Sequence, residues 1–251
     1  MKTKTKKKKI LRIVIVVILL LIVAAAVYFF QFNQGGYLMT VPYRSVFTEI
    51  AYNIYINKNY AGDQQELLDI ISQAEERDKA FFGELSFLDE TIIIICDDEK
   101  LISKIGNDHA TPTYFAPSKK HYICISDKYL ELDILAHEIT HAELHTRLSK
   151  DALERMPTWF DEGLATQNDY REQYSEEQWV EQTDNGKNTV ALEDMDTPSE
   201  FYAGEVEDKR FRYMNAKHEL AGWMAEHGQK GLLELIDELN NGTDFGIAYG
   251  K

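Results

Sequence analysis

A continuous apolar run stands near the start of the chain, before any alternation of hydrophobic and polar positions begins. It extends from Ile10 to Phe30 and is interrupted only by Arg12. A helix of this length spans the ~30 Å hydrocarbon core of a bilayer. Residues 1–9 are basic, and the positive-inside bias keeps such residues in the cytoplasm. The pattern predicts a transmembrane signal-anchor helix over residues 10–30, with everything after it outside the cytoplasm.

A cleaved signal peptide is the alternative interpretation, because Ala24–Ala26 offers small residues to a peptidase. A secretory apolar region usually has about 7–15 residues, and this run is longer. We therefore expect the helix to remain uncleaved, so that the protein crosses the cell membrane once.

The rest of the chain alternates between hydrophobic and polar positions, with strand-like segments first and helix-like segments second. That order is typical of an α+β domain, which we predict over residues 46–251. Residues 31–45 are polar and contain glycine and proline, and we expect a juxtamembrane linker there. The predicted strands are Val46–Ile56, Thr91–Cys96 and His121–Ser126, with an irregular segment at Gly106–Lys120; the predicted helices are Asp63–Phe82, a short helix capped by Asp97-Asp98 and ending at Ile105, Tyr129–Leu148, a helix with Pro157 at its first position and ending near Asp169, Arg210–His227 closed by Gly228, and Lys230–Leu239.

Charge separates the two parts of the molecule. The net charge is −15, but residues 1–30 carry seven bases and no acid, which leaves 20 bases against 42 acids in residues 31–251. Nucleic-acid binding by the domain is excluded, since phosphate contacts need clustered Lys and Arg. The basic tail suits anionic lipid head groups, and the acidic domain is expected to repel acidic substrates.

Two cysteines, Cys96 and Cys124, lie in apolar strand-like segments. A disulfide is permitted outside the cytoplasm, and two buried thiols are equally compatible with the pattern. Zinc binding by these residues is disfavoured, because neither belongs to a C-x-x-C pair.

The predicted helix Tyr129–Leu148 contains the pattern H-E-x-x-H, formed by His137, Glu138 and His141. Residues four apart lie on one face of a helix, so both imidazoles can reach one Zn²⁺. Glu138 stands beside them, where it can accept a proton from water. A catalytic zinc needs a third protein ligand, and the next helix offers Glu162 near its start.

Other residues around this motif have narrower roles. Gly163 lets the second helix pack closely on the first. The third histidine of a metzincin is excluded, since Leu144 and Arg147 occupy the Gly and His positions of that motif. His145 lies about 12 Å along the helix axis from His137, too far to share the ion.

HEITH followed by PTWFDEGLA resembles the gluzincin metallopeptidases. The resemblance is strong at the motif, weak over the rest of residues 46–245, and implies a zincin-like fold. It implies one Zn²⁺ held by His137, His141 and Glu162, with Glu138 as general base and acid. It also suggests Tyr213 as the donor to the oxyanion, with His218 as a second candidate.

Asp161 and Thr166 are candidates for orienting the ligand imidazoles. The predicted function is that of a membrane-anchored zinc metallopeptidase acting on a peptide or protein substrate outside the cytoplasm. An extended substrate is expected to pair with an edge strand at His121–Ser126. A silent zincin-fold scaffold and a zinc enzyme acting on another acyl or amide bond are the alternatives.

Overall fold

Five strands form one mixed sheet within residues 2–106, 111–115 and 117–250, which are those that the computed structural model describes. The three central strands are parallel, and each outer strand runs antiparallel to its neighbour. The strands are β1 (Phe47–Ala51), β2 (Ile54–Asn57), β3 (Thr91–Cys96), β4 (Thr111–Phe115) and β5 (Lys120–Ser126), and their spatial order is β1-β2-β3-β5-β4.

The first predicted strand, Val46–Ile56, is a hairpin and not one strand. Its two arms, β1 and β2, pair from Phe47↔Asn57 to Ala51↔Ile54. The chain reverses at Tyr52-Asn53, where Asn53 adopts φ 58°, a left-handed conformation that Asn tolerates better than most residues. Residues on both sides of the turn have high strand propensity, so the sequence pattern predicted one continuous strand.

The segment Gly106–Lys120, predicted to be irregular, contains the strand β4. Pro112 fits there because an edge strand can spare a backbone N–H. β5 consequently lies between β3 and β4, so the expectation of a free edge at His121–Ser126 is wrong. Residues 107–110 and 116 of the segment lie outside the described part of the chain.

The predicted helices are present in the predicted order with shifted ends, and helices of four to seven residues that the sequence analysis did not name stand between and after them. Asp63 caps the helix Gln64–Phe82 by accepting from the N–H groups of Gln65 and Glu66. Pro157 occupies the N-cap position and not the first helical position. The helices are α1 (Lys2–Phe32), α2 (Gln34–Met39), α3 (Gln64–Phe82), α4 (Phe87–Glu90), α5 (Glu99–Ile105), α6 (Leu132–Arg147), α7 (Lys150–Arg155), α8 (Thr158–Gln167), α9 (Glu176–Gln182), α10 (Pro198–Phe201), α11 (Val206–Asn240, broken at Gly228) and α12 (Phe245–Tyr249).

Both faces of the sheet are covered, as the uninterrupted apolar sequence of β3 predicts. Ile93 and Ile95 pack with side chains of α3 and α6. Ile92 and Ile94 point to the other face and pack with side chains of α2 and α5. A separate apolar cluster joins α6, α8 and α11. The sheet thus fixes one side of α6, and the helical cluster fixes the other.

The N-terminal helix contains an apolar segment, Ile10–Phe32, that is long and apolar enough to cross a membrane. None of its most hydropathic window is buried against the rest of the described protein. This observation agrees with the predicted span at residues 10–30.

Residues 31–45 are more ordered than a juxtamembrane linker would be. After α1 they form α2 and one turn of 3-10 helix, and Tyr37, Leu38 and Val41 are buried in the cluster beneath the sheet. Phe29 of α1 stacks on Phe115 of β4, with ring centroids 6.3 Å apart. The segment therefore belongs to the folded domain.

Cys96 and Cys124 are buried and both are free thiols. Burial raises the pKa of Cys96 to about 11 and raises that of Cys124 as well. The structure thus favours the second of the two states that the sequence left open.

Candidate metal centre

Helix α6 presents His137 and His141 on one face, as their four-residue spacing predicts. Their Nε2 atoms are 3.1 Å apart, and the two rings meet edge to face with centroids separated by 4.8 Å. Both nitrogens therefore point toward one region outside the helix.

Helix α8 brings Glu162 to the same point. Its Oε2 lies 3.4 Å from the Nε2 of His137 and 3.4 Å from the Nε2 of His141. This buried oxygen accepts no hydrogen bond from the described residues. The three residues form a group capable of holding a metal ion.

The triangle of donor atoms has the size that a tetrahedral zinc ion requires. With bonds of about 2.0–2.1 Å, tetrahedral ligands are separated by about 3.3–3.4 Å, against the 3.1 and 3.4 Å found here. Two imidazoles and one carboxylate also leave a fourth position open, as catalytic zinc sites do. The residues fit a zinc ion, although the geometry does not identify the metal.

The second oxygen of Glu162 is held by Tyr202, whose hydroxyl donates to Oε1. This contact leaves Oε2 directed at the two imidazoles. Tyr202 was missed by the sequence analysis. It lies 40 residues after Glu162 in a polar stretch, and no spacing rule relates the two positions.

Asp161 joins two histidines of α6 from the start of α8. Its Oδ1 is 2.7 Å from His141 Nδ1 and its Oδ2 is 2.8 Å from His145 Nε2. The predicted contact between Asp161 and a ligand imidazole is thus present. His145 contacts Asp161 and is not one of the three residues of the triangle, in agreement with the distance argument from sequence.

At Gly163, helix α8 lies against α11, whereas the sequence predicted close packing on α6 at this residue. A Cβ at this position would lie 2.8 Å from the backbone oxygen of Ala216 in α11. The small residue therefore allows α8 to pack on α11, and not on α6 as expected. The carboxylates of Asp161 and Glu162 are nevertheless held against α6.

Glu138 lies at the wall of a cavity of about 180 Å³ beside the triangle. Its side chain is buried, and Oε2 has no hydrogen-bond partner within the described residues. Burial raises the pKa of this carboxyl, and the nearby imidazoles partly offset the increase. The cavity is lined by Tyr129, Ile134, His137, Glu138, Arg171, Tyr174 and Tyr213.

Burial and mutual attraction act in opposite directions on the charged groups of the centre. Burial alone would raise the pKa values of Asp161 and Glu162, but the surrounding imidazoles hold both well below the ordinary range. Burial alone would lower the pKa of His141, but Asp161 and Glu162 raise it overall. The two carboxylates are therefore ionised, which is the state that binds a cation.

Tyr213, predicted as an oxyanion donor, lies in this cavity. Its ring centroid is 6.1 Å from that of His137, and burial followed by the charge of Glu162 raises the pKa of its hydroxyl. The hydroxyl therefore stays protonated and can donate a hydrogen bond.

Two other predicted residues lie away from the reacting groups. His218 faces Glu176, with Nδ1 2.9 Å from Oε2, and stacks on Trp179. Thr166 donates to the backbone oxygen of Glu162 and makes no described contact with an imidazole. Thr166 can therefore support the helix that carries Glu162, but it does not orient a ligand ring.

Comparison with known proteins assigns no family to the chain. No protein-family model matches the sequence, and no curated protein matches it.

Proposed function

We propose that the protein is a membrane-anchored, zinc-dependent metallopeptidase that hydrolyses peptide bonds outside the cytoplasm. The observation that carries this proposal is the convergence of His137, His141 and Glu162 on one point beside the buried carboxylate of Glu138. The resemblance of HEITH and PTWFDEGLA to gluzincins supports a peptide substrate. Residues 10–30 would hold the protein in the bilayer.

His137, His141 and Glu162 would hold the zinc ion, and Asp161 would orient the ring of His141. A bound zinc ion would polarise the scissile carbonyl and lower the pKa of a water molecule. Glu138 takes a proton from the attacking water and transfers it to the leaving amine nitrogen.

Tyr213 would donate a hydrogen bond to the oxygen that becomes negative as the carbonyl carbon turns tetrahedral. Such donors act most strongly where water is excluded, and a bound peptide would displace water from the cavity beside His137. Tyr202 would keep Glu162 oriented through Oε1 without touching the substrate.

Metal analysis combined with peptide hydrolysis tests the proposal. The full chain, purified in detergent with zinc present, is expected to hold about one zinc ion and to cleave members of a quenched peptide library. A chelator should abolish cleavage, and zinc should restore it. Glu138→Gln should keep the zinc and lose cleavage by about 10²–10⁴-fold.

Each alternative function has its own outcome in this experiment. No stoichiometric zinc would refute the proposal. Zinc without hydrolysis of any peptide would favour the catalytically silent scaffold. Cleavage of non-peptide acyl or amide substrates alone would favour the third alternative.

A further inference from the structure

Arg171 places a positive charge in the cavity that contains Glu138 and His137. It follows α8 by four residues, so its position is fixed by the helix that carries Glu162. In a domain with more than twice as many acids as bases, a cation on this wall calls for an explanation.

The guanidinium group is held in one orientation by Asp169. The carboxylate of Asp169 is fully buried. Its Oδ1 accepts from the backbone N–H of Arg171 at 3.1 Å and from Nε at 2.9 Å, and its Oδ2 accepts from Nη2. The contact is the bidentate pairing that suits the planar fork of arginine.

Asp169 is itself anchored from two sides. Its backbone N–H donates to the carbonyl oxygen of Thr166 in the last turn of α8, at 3.1 Å. Its own carbonyl oxygen accepts from Nζ of Lys217 in α11, at 2.6 Å. The orientation of Arg171 is therefore established before any ligand arrives.

One edge of the guanidinium group is left unused by this arrangement. Asp169 occupies the edge formed by Nε and Nη2, whereas Nη1 makes no hydrogen bond or ion pair with the residues that the structure describes. The second edge, formed by Nη1 and the remaining proton of Nη2, carries two parallel donors. Two parallel donors match the two oxygens of a carboxylate.

We infer that Arg171 binds a carboxylate of the substrate close to the scissile peptide bond. This inference rests on the proposed function and names its substrate class: peptides with an acidic side chain, or a free C-terminal carboxylate, next to the cleaved bond. Exposed acids farther than about 8 Å from Arg171 are largely screened at physiological ionic strength. Of the nearby carboxylates, Asp169 is already paired with Arg171, and Glu138 would face the zinc-bound water on the same cavity wall. Direct contact with Arg171 then outweighs the distant acids.

Matched peptides test the inference on the full chain in detergent. In the first comparison, two quenched peptides differ only in having Glu or Gln next to the cleaved bond, and the comparison is made once for each side of that bond. A second pair ends in a free carboxylate or in an amide. The wild-type kcat/KM should be about 10–100-fold higher for the carboxylate member of at least one pair, and the pair that shows the preference identifies the source of the carboxylate.

Substitution of the arginine should remove this preference alone. Arg171→Gln should lower kcat/KM for the acidic peptide by about 10–100-fold and leave the neutral peptide within about threefold. Arg171→Lys, which keeps the charge but not the fork, should recover part of the preference. Lys209→Gln is the matched control, because Lys209 is half-buried like Arg171 but does not line the cavity. Zinc content should be unchanged in all three variants. Arg171→Gln should lower the melting temperature, because it leaves the buried carboxylate of Asp169 without its guanidinium partner, so all activities are compared well below that temperature.

Equal wild-type cleavage of both members of every pair, or equal slowing of both members by Arg171→Gln, would overturn the inference. Binding to the Glu138→Gln variant, measured by fluorescence anisotropy, separates this result from failure of the proposed function. Suppose that the Glu138→Gln variant binds carboxylate peptides more tightly than their neutral partners, that adding Arg171→Gln removes this difference, and that the wild type cleaves nothing. Only the peptidase proposal then fails. If the Glu138→Gln variant shows no such preference, the inference about Arg171 fails.

Discussion

Replacing Asp161 with Asn should weaken zinc binding without removing a zinc ligand. Asp161 contacts His141 Nδ1 at 2.7 Å and His145 Nε2 at 2.8 Å. Asn has nearly the same shape but lacks the charge, and its amide has one oxygen where the carboxylate has two. At most one imidazole can then donate to it, and the negative charge behind His141 is lost.

The expected loss of zinc affinity follows from the one contact that Asp161 makes with a metal ligand, His141. Loss of such an outer contact typically costs 10–100-fold in metal affinity, which corresponds to about 1.4–2.7 kcal/mol. His145→Gln leaves the contact between Asp161 and His141 in place, so its affinity should change by less than about threefold. The difference between the two variants isolates the contribution of the contact to His141.

Competition with a chromogenic zinc chelator near neutral pH measures these affinities on the full chain in detergent. Asp196→Asn is the matched control, because Asp196 accepts from Nε1 of Trp159 at the start of the same helix and touches no described imidazole. An Asp161→Asn variant that binds zinc within about twofold of the wild type would refute the reasoning. Equal weakening in Asp196→Asn would assign the effect to the helix and not to the imidazole contact.

Three further predictions concern single side chains. Tyr213→Phe should lower kcat by about 10²–10³-fold with zinc content unchanged, and steady-state kinetics would contradict this role if only KM changed. Tyr202→Phe frees Oε1 of Glu162 and should weaken zinc binding about tenfold in the same chelator assay; an unchanged affinity would contradict its positioning role. Burial, followed by the charge of His145, lowers the pKa of His121 from 6.5 to about 4, so the unfolded chain binds the proton more readily and stability should fall as pH decreases from about 6.5 to 4. Denaturant unfolding across this range should show a smaller decrease in His121→Gln, and an equal decrease would argue against His121.

The sequence predicted the parts of the fold that depend on local pattern. The strand Thr91–Cys96 is buried on both faces because every position in it is apolar or small, and the hydrogen-bonding side chain of Asp63 marks the start of α3. The hairpin at Asn53 and the edge strand with Pro112 were mispredicted. In both, the pairing partner decides the structure, and local composition does not reveal that partner.

The same division holds for the candidate site. His137 and His141 share a helix, so their spacing alone predicted that their rings would meet. Glu162 depended on how α8 returns to α6, and the motif supplied that information. Tyr202 reaches the site from 40 residues beyond Glu162, and Arg171 reaches it from the loop that follows α8. In both cases tertiary packing sets the position, and no periodicity indicates it.

The junction between the N-terminal helix and the sheet determines how the domain can move. A flexible linker of the 15 residues expected at 31–45 would allow an end-to-end distance of about 21 Å. Instead, Asn33 separates α1 from α2 as its N-cap, and the side-chain amide of Gln34 donates to the backbone oxygen of Ile105 at 3.1 Å. With α1 in a bilayer, a turn of that helix about its own axis would turn the cleft through the same angle. The cavity would then keep a constant orientation relative to α1. Encounters between the cavity and membrane-bound substrates would be governed by lateral diffusion in the plane of the bilayer.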